Sequence, residues 1–200
     1  NQSLGDFGSV TVRGSAEDFE DIVDQIPIVG GGQAPGNIDS AQRFGVSADL
    51  TLLSDPVGWP GARLDLAIAL VDSEVLDPLL GTPRQISGTE TFSLNVDFRQ
   101  DFPRSDWAAG FEFFYDEESA DVRLDEISVR RESFAFASIF VEHKDVFGLT
   151  VRTSISNVLD RDNDTFRTIF NDRLTDDVAF RQNRFRNFGT IFTLTVEGSF

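Results

Sequence analysis

Apolar and polar side chains alternate along much of this chain. The cleanest example spans residues 91–99, in which one set of side chains is apolar and the intervening set is polar. The apolar set is Phe92, Leu94, Val96 and Phe98, and the polar set is Thr91, Ser93, Asn95, Asp97 and Arg99. A period of two residues places the sets on opposite faces of a β-strand. The pattern therefore predicts a strand with one apolar and one polar face.

The same reasoning predicts further strands along the chain. Alternation is clear in residues 43–52, 62–70, 107–115, 149–156 and 192–197. Two weaker patterns lie in residues 9–15, where Val10 and Val12 are apolar, and in residues 134–143, where both faces are too apolar to assign. No stretch approaches the ~18 apolar residues that a membrane-spanning helix requires. We therefore expect an all-β chain of about eight antiparallel strands.

The connections between these strands alternate between short and long. Short links at residues 54–61, 100–106 and 143–148 contain Pro or Gly, whereas long ones cover residues 17–40, 72–88, 116–131 and 160–186. Outer-membrane β-barrels combine short periplasmic turns with longer extracellular loops in an up-and-down meander. The rhythm predicts a transmembrane β-barrel segment whose long loops lie outside the cell.

A soluble β-sandwich also contains alternating strands and is the main alternative. Two further features favour the membrane interpretation. Charged side chains occur in mid-strand, at Asp49, Asp65, Asp97 and Arg152. A dry sandwich core seldom accepts such charges, whereas a water-filled lumen does.

Aromatic residues also collect near the predicted strand ends, as they do at membrane interfaces. The expected periplasmic set is Trp59, Phe98, Phe102, Trp107, Phe147 and Phe200, and the expected outer set is Phe44, Phe92, Phe113, Tyr115 and Phe134.

The composition of the chain argues against nucleic-acid binding. The chain has 34 acidic and 17 basic residues and a formal net charge of −17, so it lacks the basic balance typical of nucleic-acid binding. It contains no cysteine and begins at Asn1 without a signal segment, and we expect a mature chain or a fragment.

The last sixty or so residues carry a family resemblance. FVEHKDVFGLTVRTSISNVLD at residues 140–160, a long polar loop and the closing GTIFTLTVEGSF resemble the last two strands of TonB-dependent outer-membrane receptors. The family has an Asn-Leu-Phe-Asp-like tetrad near the top of the penultimate strand, and Asn157, Val158, Leu159 and Asp160 occupy it here. Phe200, preceded by Val196, Leu194 and Phe192, resembles the terminal signal read by the barrel-assembly machinery, although Gly198 departs from the apolar pattern.

The resemblance implies a barrel of about 22 strands closed by an N-terminal plug. Residues 1–200 would form its C-terminal part, with no plug. The implied function is energy-coupled uptake of a scarce nutrient, such as a siderophore, vitamin or saccharide, across the bacterial outer membrane. The implied partners are outer-membrane lipid and lipopolysaccharide, the assembly machinery, TonB and the plug through the rest of the chain, and an unknown small molecule. The alternative is a complete small barrel of eight strands that serves as an anchor, adhesion platform or narrow pore.

Catalytic, cofactor and metal sites are not expected, and neither is enzymatic activity. The single histidine, His143, is predicted to lie beside a solvated turn without convergent partners. Residues 30–32 are a glycine run without a phosphate-binding motif, which we expect to be a flexible loop. Asp160, Asp162 and Asp164 share the opening spacing of a calcium loop, but Thr165 and Asn171 replace its glycine and glutamate.

Two charged segments of the long loops have alternative interpretations. Residues 160–186 contain six arginines and six acids. Those that could contact an anionic ligand or a lipid phosphate are Arg167, Arg173, Arg181, Arg184 and Arg186. We favour the alternative in which these arginines pair with loop carboxylates and extend the barrel as a hairpin. The acidic residues at 116–118 and 121 are expected to form a solvated surface rather than a cation site.

Overall fold

The computed structural model describes residues 2–130 and 134–198, and this part of the chain is dominated by antiparallel β-strands. The strands are β1 (Gln2–Ser3), β2 (Gly8–Pro27), β3 (Gln33–Leu53), β4 (Ala62–Leu76), β5 (Pro83–Arg84), β6 (Glu90–Asp101), β7 (Trp107–Glu118), β8 (Asp121–Val122), β9 (Glu126–Arg130), β10 (Phe134–Val146), β11 (Leu149–Ser156), β12 (Thr165–Phe170), β13 (Val178–Arg184) and β14 (Ile191–Glu197). Two short 3-10 helices cover Gly5–Phe7 and Asp55–Val57. None of the helices in the described ranges has the length and apolar character needed to cross a membrane.

The main sheet follows the chain as a meander. Its strand order is β1-β2-β3-β4-β6-β7-β10-β11-β14, with β5 paired to β4, and the pairs are antiparallel. The eight predicted strands correspond to β2, β3, β4, β6, β7, β10, β11 and β14, which lie side by side in this order. The expected all-β, up-and-down arrangement is thus confirmed. The outer strands β1 and β14 are not paired with each other in the described ranges, so the sheet is open.

The first long connection is not a loop. Strands β2 and β3 stay paired from Gly8 opposite Leu52 to Pro27 opposite Gln33. Only residues 28–32 form the turn, in which all three glycines at positions 30–32 have a positive φ. The prediction of a loop over residues 17–40 is therefore wrong, whereas the glycine run does lie in the turn that connects the two strands. In this part of the hairpin the apolar alternation is interrupted although the backbone ladder continues.

The other long connections also contain strands. β4 continues to Leu76 and β7 to Glu118, beyond the ends that alternation predicts. The connections after β7 and after β11 contribute β8, β9, β12 and β13, which form a second sheet in the order β13-β12-β9-β8. The prediction of plain loops over residues 72–88, 116–131 and 160–186 is therefore also wrong, because each segment contains paired strand residues.

The third short link is shorter than the predicted range of residues 143–148. β10 continues to Val146, which lies opposite Leu149. Phe147 and Gly148 form the turn, with φ values of 56° and 83°. Two consecutive positive φ values are typical of the tight turn that joins antiparallel strands.

The strand register confirms the predicted division of side chains between two faces. Leu66 lies opposite Leu50 on one side and Val96 on the other, and Val96 lies opposite Phe113. Residues directly opposite one another in a sheet project from the same face. We call this the apolar face of the sheet. The other side, which carries Asp65 and Asp97 opposite each other, is the polar face.

Few of the apolar side chains in the described ranges are buried. A small cluster of Ile38, Ala41 and Val75 is packed against Phe19, Ile22, Ile26 and Ile86. Apart from Ile86, which lies between β5 and β6, these residues belong to the ends of β2, β3 and β4 that carry the long connections. The cluster therefore supports the extended hairpins and not the centre of the sheet.

Candidate functional site

Arginine–carboxylate pairs dominate the polar face. Arg99 on β6 contacts Glu142 on β10 at 2.6 Å and Asp101 on its own strand at 3.1 Å. Lys144 contacts the same Asp101 carboxylate at 2.6 Å. These bonds join β6 to β10 across the intervening β7, at the end of the sheet with the short links.

Phe140 is the apolar centre of this charged surface. It is buried, and Arg152 lies over its ring at 3.7 Å from the centroid. Arg152 also donates a 2.9 Å hydrogen bond to Glu112. The ring fits because Gly110 lies opposite: a Cβ there would lie 2.6 Å from the Cε1 atom of Phe140 and would overlap the carbonyl oxygen of Phe98. The glycine thus makes room for the aromatic ring.

A row of carboxylates crosses the middle of the polar face. Asp65, Asp97 and Glu112 lie directly opposite one another on β4, β6 and β7. Asp65 accepts hydrogen bonds from Arg63 at 2.6 Å and from Thr51 at 2.6 Å. Asp97 is exposed and has no hydrogen bond or ion pair to another residue of the described ranges. Because charged side chains line it, a cavity of about 240 Å³ beside this row is suited to water or a polar ligand.

In residues 2–130 and 134–198, no group of three or more His, Cys, Asp or Glu side chains is arranged to hold a metal ion. His143, predicted to lie beside a turn, is four residues from the turn at Phe147 and Gly148. It lies in β10 on the apolar face, with its ring 4.6 Å from that of Trp107, and its Nδ1 atom accepts a hydrogen bond from the backbone of Asp145.

The apolar face is open to its surroundings. Large apolar side chains are exposed on six of the eight meander strands, represented by Val12, Val46, Leu70, Phe111, Ile139 and Leu194. The exposed fraction reaches 64% at Val12 and 67% at Leu194. Nothing within the described ranges covers this surface.

Aromatic rings flank the apolar face at both ends. At the short-link end, Phe98 lies 6.0 Å from Trp59 and 5.5 Å from Phe111 between ring centroids. Towards the long connections, Phe92 and Tyr115 meet edge to face at 5.5 Å. The predicted aromatics at Phe134 and Phe200 lie outside the side chains that the structure describes.

A buried arginine joins the first two long connections. Arg84 contacts Asp24 on β2 and Asp77 after β4, each at 2.8 Å. Burial opposes ionisation of Asp77, but hydrogen bonds from Leu80, Arg84 and Leu79 outweigh it and hold the pKa of this carboxyl below its ordinary value. Burial also opposes the charge of Arg84, yet its bonds to the two carboxylates raise the pKa of the guanidinium.

Hydrogen bonds extend this connection to the third long segment. Ser119 donates to the backbone oxygen of Ile86 at 2.6 Å, and the backbone of Val122 donates to Ser87 at 3.1 Å. Gln33 in β3 accepts a bond from the backbone of Leu124 at 2.8 Å. The first three connections therefore form one bonded layer.

The fourth connection joins the layer through β12. Arg167 makes a two-pronged contact with Glu126 on β9, at 2.6 and 2.5 Å. Its hydrogen bond to Glu126 lowers the pKa of that carboxyl. Backbone bonds from Phe170 to Asp125 and from Leu174 to Leu124 complete the junction. We call the four joined connections the outer loop layer.

The arginines of this fourth connection have different surroundings. Arg167 pairs with a carboxylate as the hairpin interpretation requires, although its partner belongs to the neighbouring connection. Arg173, Arg181, Arg184 and Arg186 have no ion pair within the described ranges. The expected hairpin is present as β12 and β13, and Arg167 pairs with a loop carboxylate as expected, whereas the other four arginines do not in the described ranges. Contact with an anionic ligand stays a prediction.

The residues of the tetrad form the junction between β11 and β12. Asn157 is buried, and its side chain donates to the backbone oxygens of Gly189 at 3.0 Å and Arg161 at 3.3 Å. Its oxygen accepts from the backbone of Arg161 at 3.0 Å. Asn157 and Asp160 have positive φ, and Val158 and Leu159 are exposed. Asn157 therefore fastens the two long strands of the last hairpin together.

The remaining predicted residues occupy the last strand. Phe192, Leu194 and Val196 lie on β14 with exposed side chains on the apolar face. Phe200 lies outside the described residues. The proposed assembly signal therefore stays a prediction. Asp162 accepts a bond from Asn187, and the calcium-loop spacing leads to no metal-holding group in the described ranges.

Sequence reasoning missed Phe140 and Arg84. Phe140 had a recoverable signal, because Ser138 and Glu142, two residues away on each side, place it on the polar face of the strand. Arg84 had none, because its partners Asp24 and Asp77 are distant in sequence and lie in segments without apolar alternation.

The chain matches no protein-family model, no curated protein and no solved structure at a significant level. The similarity to TonB-dependent receptors therefore rests on residues 140–200 alone.

Proposed function

We propose that this chain is a membrane-spanning part of an outer-membrane β-barrel receptor that takes up a scarce nutrient. The observation that carries this proposal is the exposed apolar face shared by the strands of the meander. In water, so large a continuous apolar surface would favour aggregation. In a bilayer, lipid tails contact it without such a cost.

The charged surface on the other side of the same sheet suits a water-filled interior. Transmembrane strands alternate between lipid-facing apolar and lumen-facing polar side chains. The ion pairs of Arg99 with Glu142 and of Arg152 with Glu112 each bridge one intervening strand there and are partly exposed. The long connections then extend above the membrane, where their polar strands form the outer loop layer.

The open edges support a barrel larger than the strands described. An unpaired strand edge inside a bilayer leaves backbone groups without hydrogen bonds, which is costly. Strands from outside these residues would close the ring, and by resemblance the complete barrel has about 22 strands and a plug. TonB would drive uptake through the plug. We further propose outer-membrane lipid, lipopolysaccharide and the barrel-assembly machinery as partners.

Cysteine labelling tests the membrane assignment, because residues 1–200 contain no cysteine. Any cysteine in the rest of the full-length protein would first be replaced by serine. Single variants Leu94→Cys, Val96→Cys, Asn95→Cys and Asp97→Cys would be made in the full-length protein and assembled in outer membranes. We expect Asn95→Cys and Asp97→Cys to react with a membrane-impermeant maleimide added to both sides. We expect Leu94→Cys and Val96→Cys to react only with a lipid-soluble maleimide. Equal reaction at all four positions would contradict the assignment.

A growth experiment tests the transport function. Cells with or without the full-length protein, each with TonB intact or deleted, would be grown with limiting ferric siderophore, cobalamin or oligosaccharide. We expect growth on one of these nutrients to require both the protein and TonB. Growth that requires the protein but not TonB would favour passive passage.

A complete eight-stranded barrel is the second candidate. It is supported by the eight consecutive meander strands, whose outer members β2 and β14 have opposite chain directions and could pair directly. The 200 residues alone would then fold in lipid as a heat-resistant monomer. Aggregation of the isolated chain, with folding restored by the rest of the polypeptide, would favour the receptor.

A further inference from the structure

The last hairpin presents one continuous edge that extends from the sheet into the outer loop layer. Thr165 lies opposite Arg184, and the backbones of Asn163 and Arg186 exchange hydrogen bonds of 2.9 and 3.2 Å. Below the Asn157 junction, Ser156 lies opposite Ile191. The strand pair β12–β13 thus continues the pair β11–β14, and the outer edge of β13 continues that of β14.

The outer side of β13 is unoccupied by any strand of the described ranges. All seven of its residues are exposed. In an antiparallel strand, alternate backbone N–H and C=O groups point away from the paired neighbour. β13 therefore offers a row of backbone donors and acceptors above β14, which is the surface that strand addition uses.

Charge distinguishes this edge from the rest of the chain. Residues 178–188 contain three arginines and no acid, within a chain of net charge −17. Arg181 and Arg184 have no ion pair in the described part of the molecule. Phe180 and Phe185 are also exposed beside them, at 56% and 62%. An incoming strand with carboxylates would match both the backbone edge and the charge.

We propose that the strand that pairs with β14 in the assembled barrel continues above the membrane, carries acidic side chains and pairs with β13. This inference rests on the proposed function, because it takes β14 to have a neighbour from the same polypeptide. The continuity of the two edges indicates which strand pairs with β13. A strand that pairs with the outer edge of β14 and continues straight reaches the outer edge of β13. The last hairpin is then paired on both sides, with β9 and β10 on one side and with this strand on the other.

Amide hydrogen exchange of the full-length protein in lipid bilayers tests the proposal. The amides of β13 that point away from β12 should exchange as slowly as paired amides. In the variant Arg181→Glu/Arg184→Glu, their exchange should accelerate about tenfold, because two cross-strand attractions become repulsions. Exchange in β14 should stay unchanged.

A matched control carries the same change of charge elsewhere in the fourth connection. The variant Arg161→Glu/Arg173→Glu should leave β13 protected, because neither residue belongs to the β13 strand. If the β13 amides stay equally protected in Arg181→Glu/Arg184→Glu, the partner strand is not acidic and the proposal is wrong.

The outcomes separate this inference from the function on which it rests. Rapid exchange in β13 with slow exchange along the outer edge of β14 would overturn the inference and leave the barrel assignment intact. Rapid exchange along both edges would overturn both. A photoreactive phenylalanine at Phe180 identifies the neighbour: cross-linking to an acidic strand of the same polypeptide supports the proposal. Cross-linking to a second copy or to lipopolysaccharide overturns it.

Discussion

Arg84 donates a 2.8 Å hydrogen bond to Asp24, which lies 60 positions earlier in the chain. The same guanidinium contacts Asp77 at 2.8 Å, and all three side chains are largely buried. Buried charges require partners because water no longer solvates them. One arginine therefore holds the β2–β3 hairpin against the connection that follows β4.

Replacing this arginine should loosen the outer loop layer locally. Arg84→Gln leaves Asp24 and Asp77 without their cation, at a cost of about 3 kcal/mol for breaking a largely buried pair. We expect faster proteolysis and faster amide exchange in residues 77–89, with β6, β7, β10 and β11 unaffected. Arg104→Gln, at an exposed turn on the opposite end of the sheet, is the control and should change neither. Equal behaviour of the two variants would show that the arginine holds nothing in place.

The same cluster should weaken in acid. The pKa of Asp77 is lowered in the folded protein from an ordinary value of 3.8, so the folded state binds the proton less readily than the unfolded chain. Its stabilising contribution is therefore fully present above the ordinary pKa and is lost as pH falls through the lower folded value. Amide exchange in residues 77–82 should accelerate below about pH 4 in the natural protein. In Asp77→Asn that acid-dependent step should be absent, with faster exchange already at neutral pH.

Phe140 and Arg152 should be energetically coupled. The arginine lies 3.7 Å from the ring centroid, a geometry that gives about 0.5 to 2 kcal/mol of cation–π attraction. Phe140→Leu and Arg152→Gln would be combined in a double-mutant cycle and measured by urea unfolding in lipid. We expect a coupling energy within that range. Additive effects would mean that the ring acts only by filling the space above Gly110.

Position along β6 should decide the cost of adding a charge. Leu94 faces the apolar side of the sheet and Asn95 the polar side. If the apolar face meets lipid, Leu94→Arg should destabilise the assembled protein by about 2 to 4 kcal/mol near the membrane midplane, and Asn95→Arg by much less. Unfolding in lipid vesicles measures both. Equal costs would count against the membrane assignment.

Alternation located the central part of the strands because the sheet there has one apolar and one polar face. Residues 91–99 have one apolar and one polar set, and the register places them as expected. In the outer halves of β2 and β3 the period of two is interrupted near Asp21, which has a positive φ, and Phe19 and Ile22 pack against one cluster although they are three residues apart. Their sequence therefore resembles a loop while their backbones remain paired. The hydrophobic periodicity of a sequence depends on the environments of the side chains and does not report backbone hydrogen bonds.

For the candidate site, the sequence predicts which face a strand residue lies on but not which distant residue it contacts. The carboxylates at Asp65 and Asp97 follow from strand parity, since each alternates with apolar neighbours. The bond between Arg167 and Glu126 does not, because it joins two connections that form a common sheet only in three dimensions. Pairings between distant segments depend on register, which a single sequence does not reveal.

Asn157 provides a test of whether the tetrad has a structural role of its own. Its φ of 54° is accessible to asparagine and glycine but strained for alanine. Its side chain also satisfies the backbone groups of Gly189 and Arg161. Asn157→Ala loses both contributions and should cost about 3 kcal/mol, whereas Asn157→Gly keeps the backbone relaxed and should cost about 1 kcal/mol less.

The measurement is urea unfolding in lipid, together with amide exchange at residues 185–190, which face the junction. Val158→Ala is the control, because Val158 is exposed and should change stability by less than about 0.5 kcal/mol. If Asn157→Ala and Asn157→Gly unfold alike, backbone strain plays no part and the hydrogen bonds carry the whole effect. If neither differs from Val158→Ala, the buried amide does not fasten the hairpin. The tetrad would then need an explanation outside the folded structure, such as recognition during assembly.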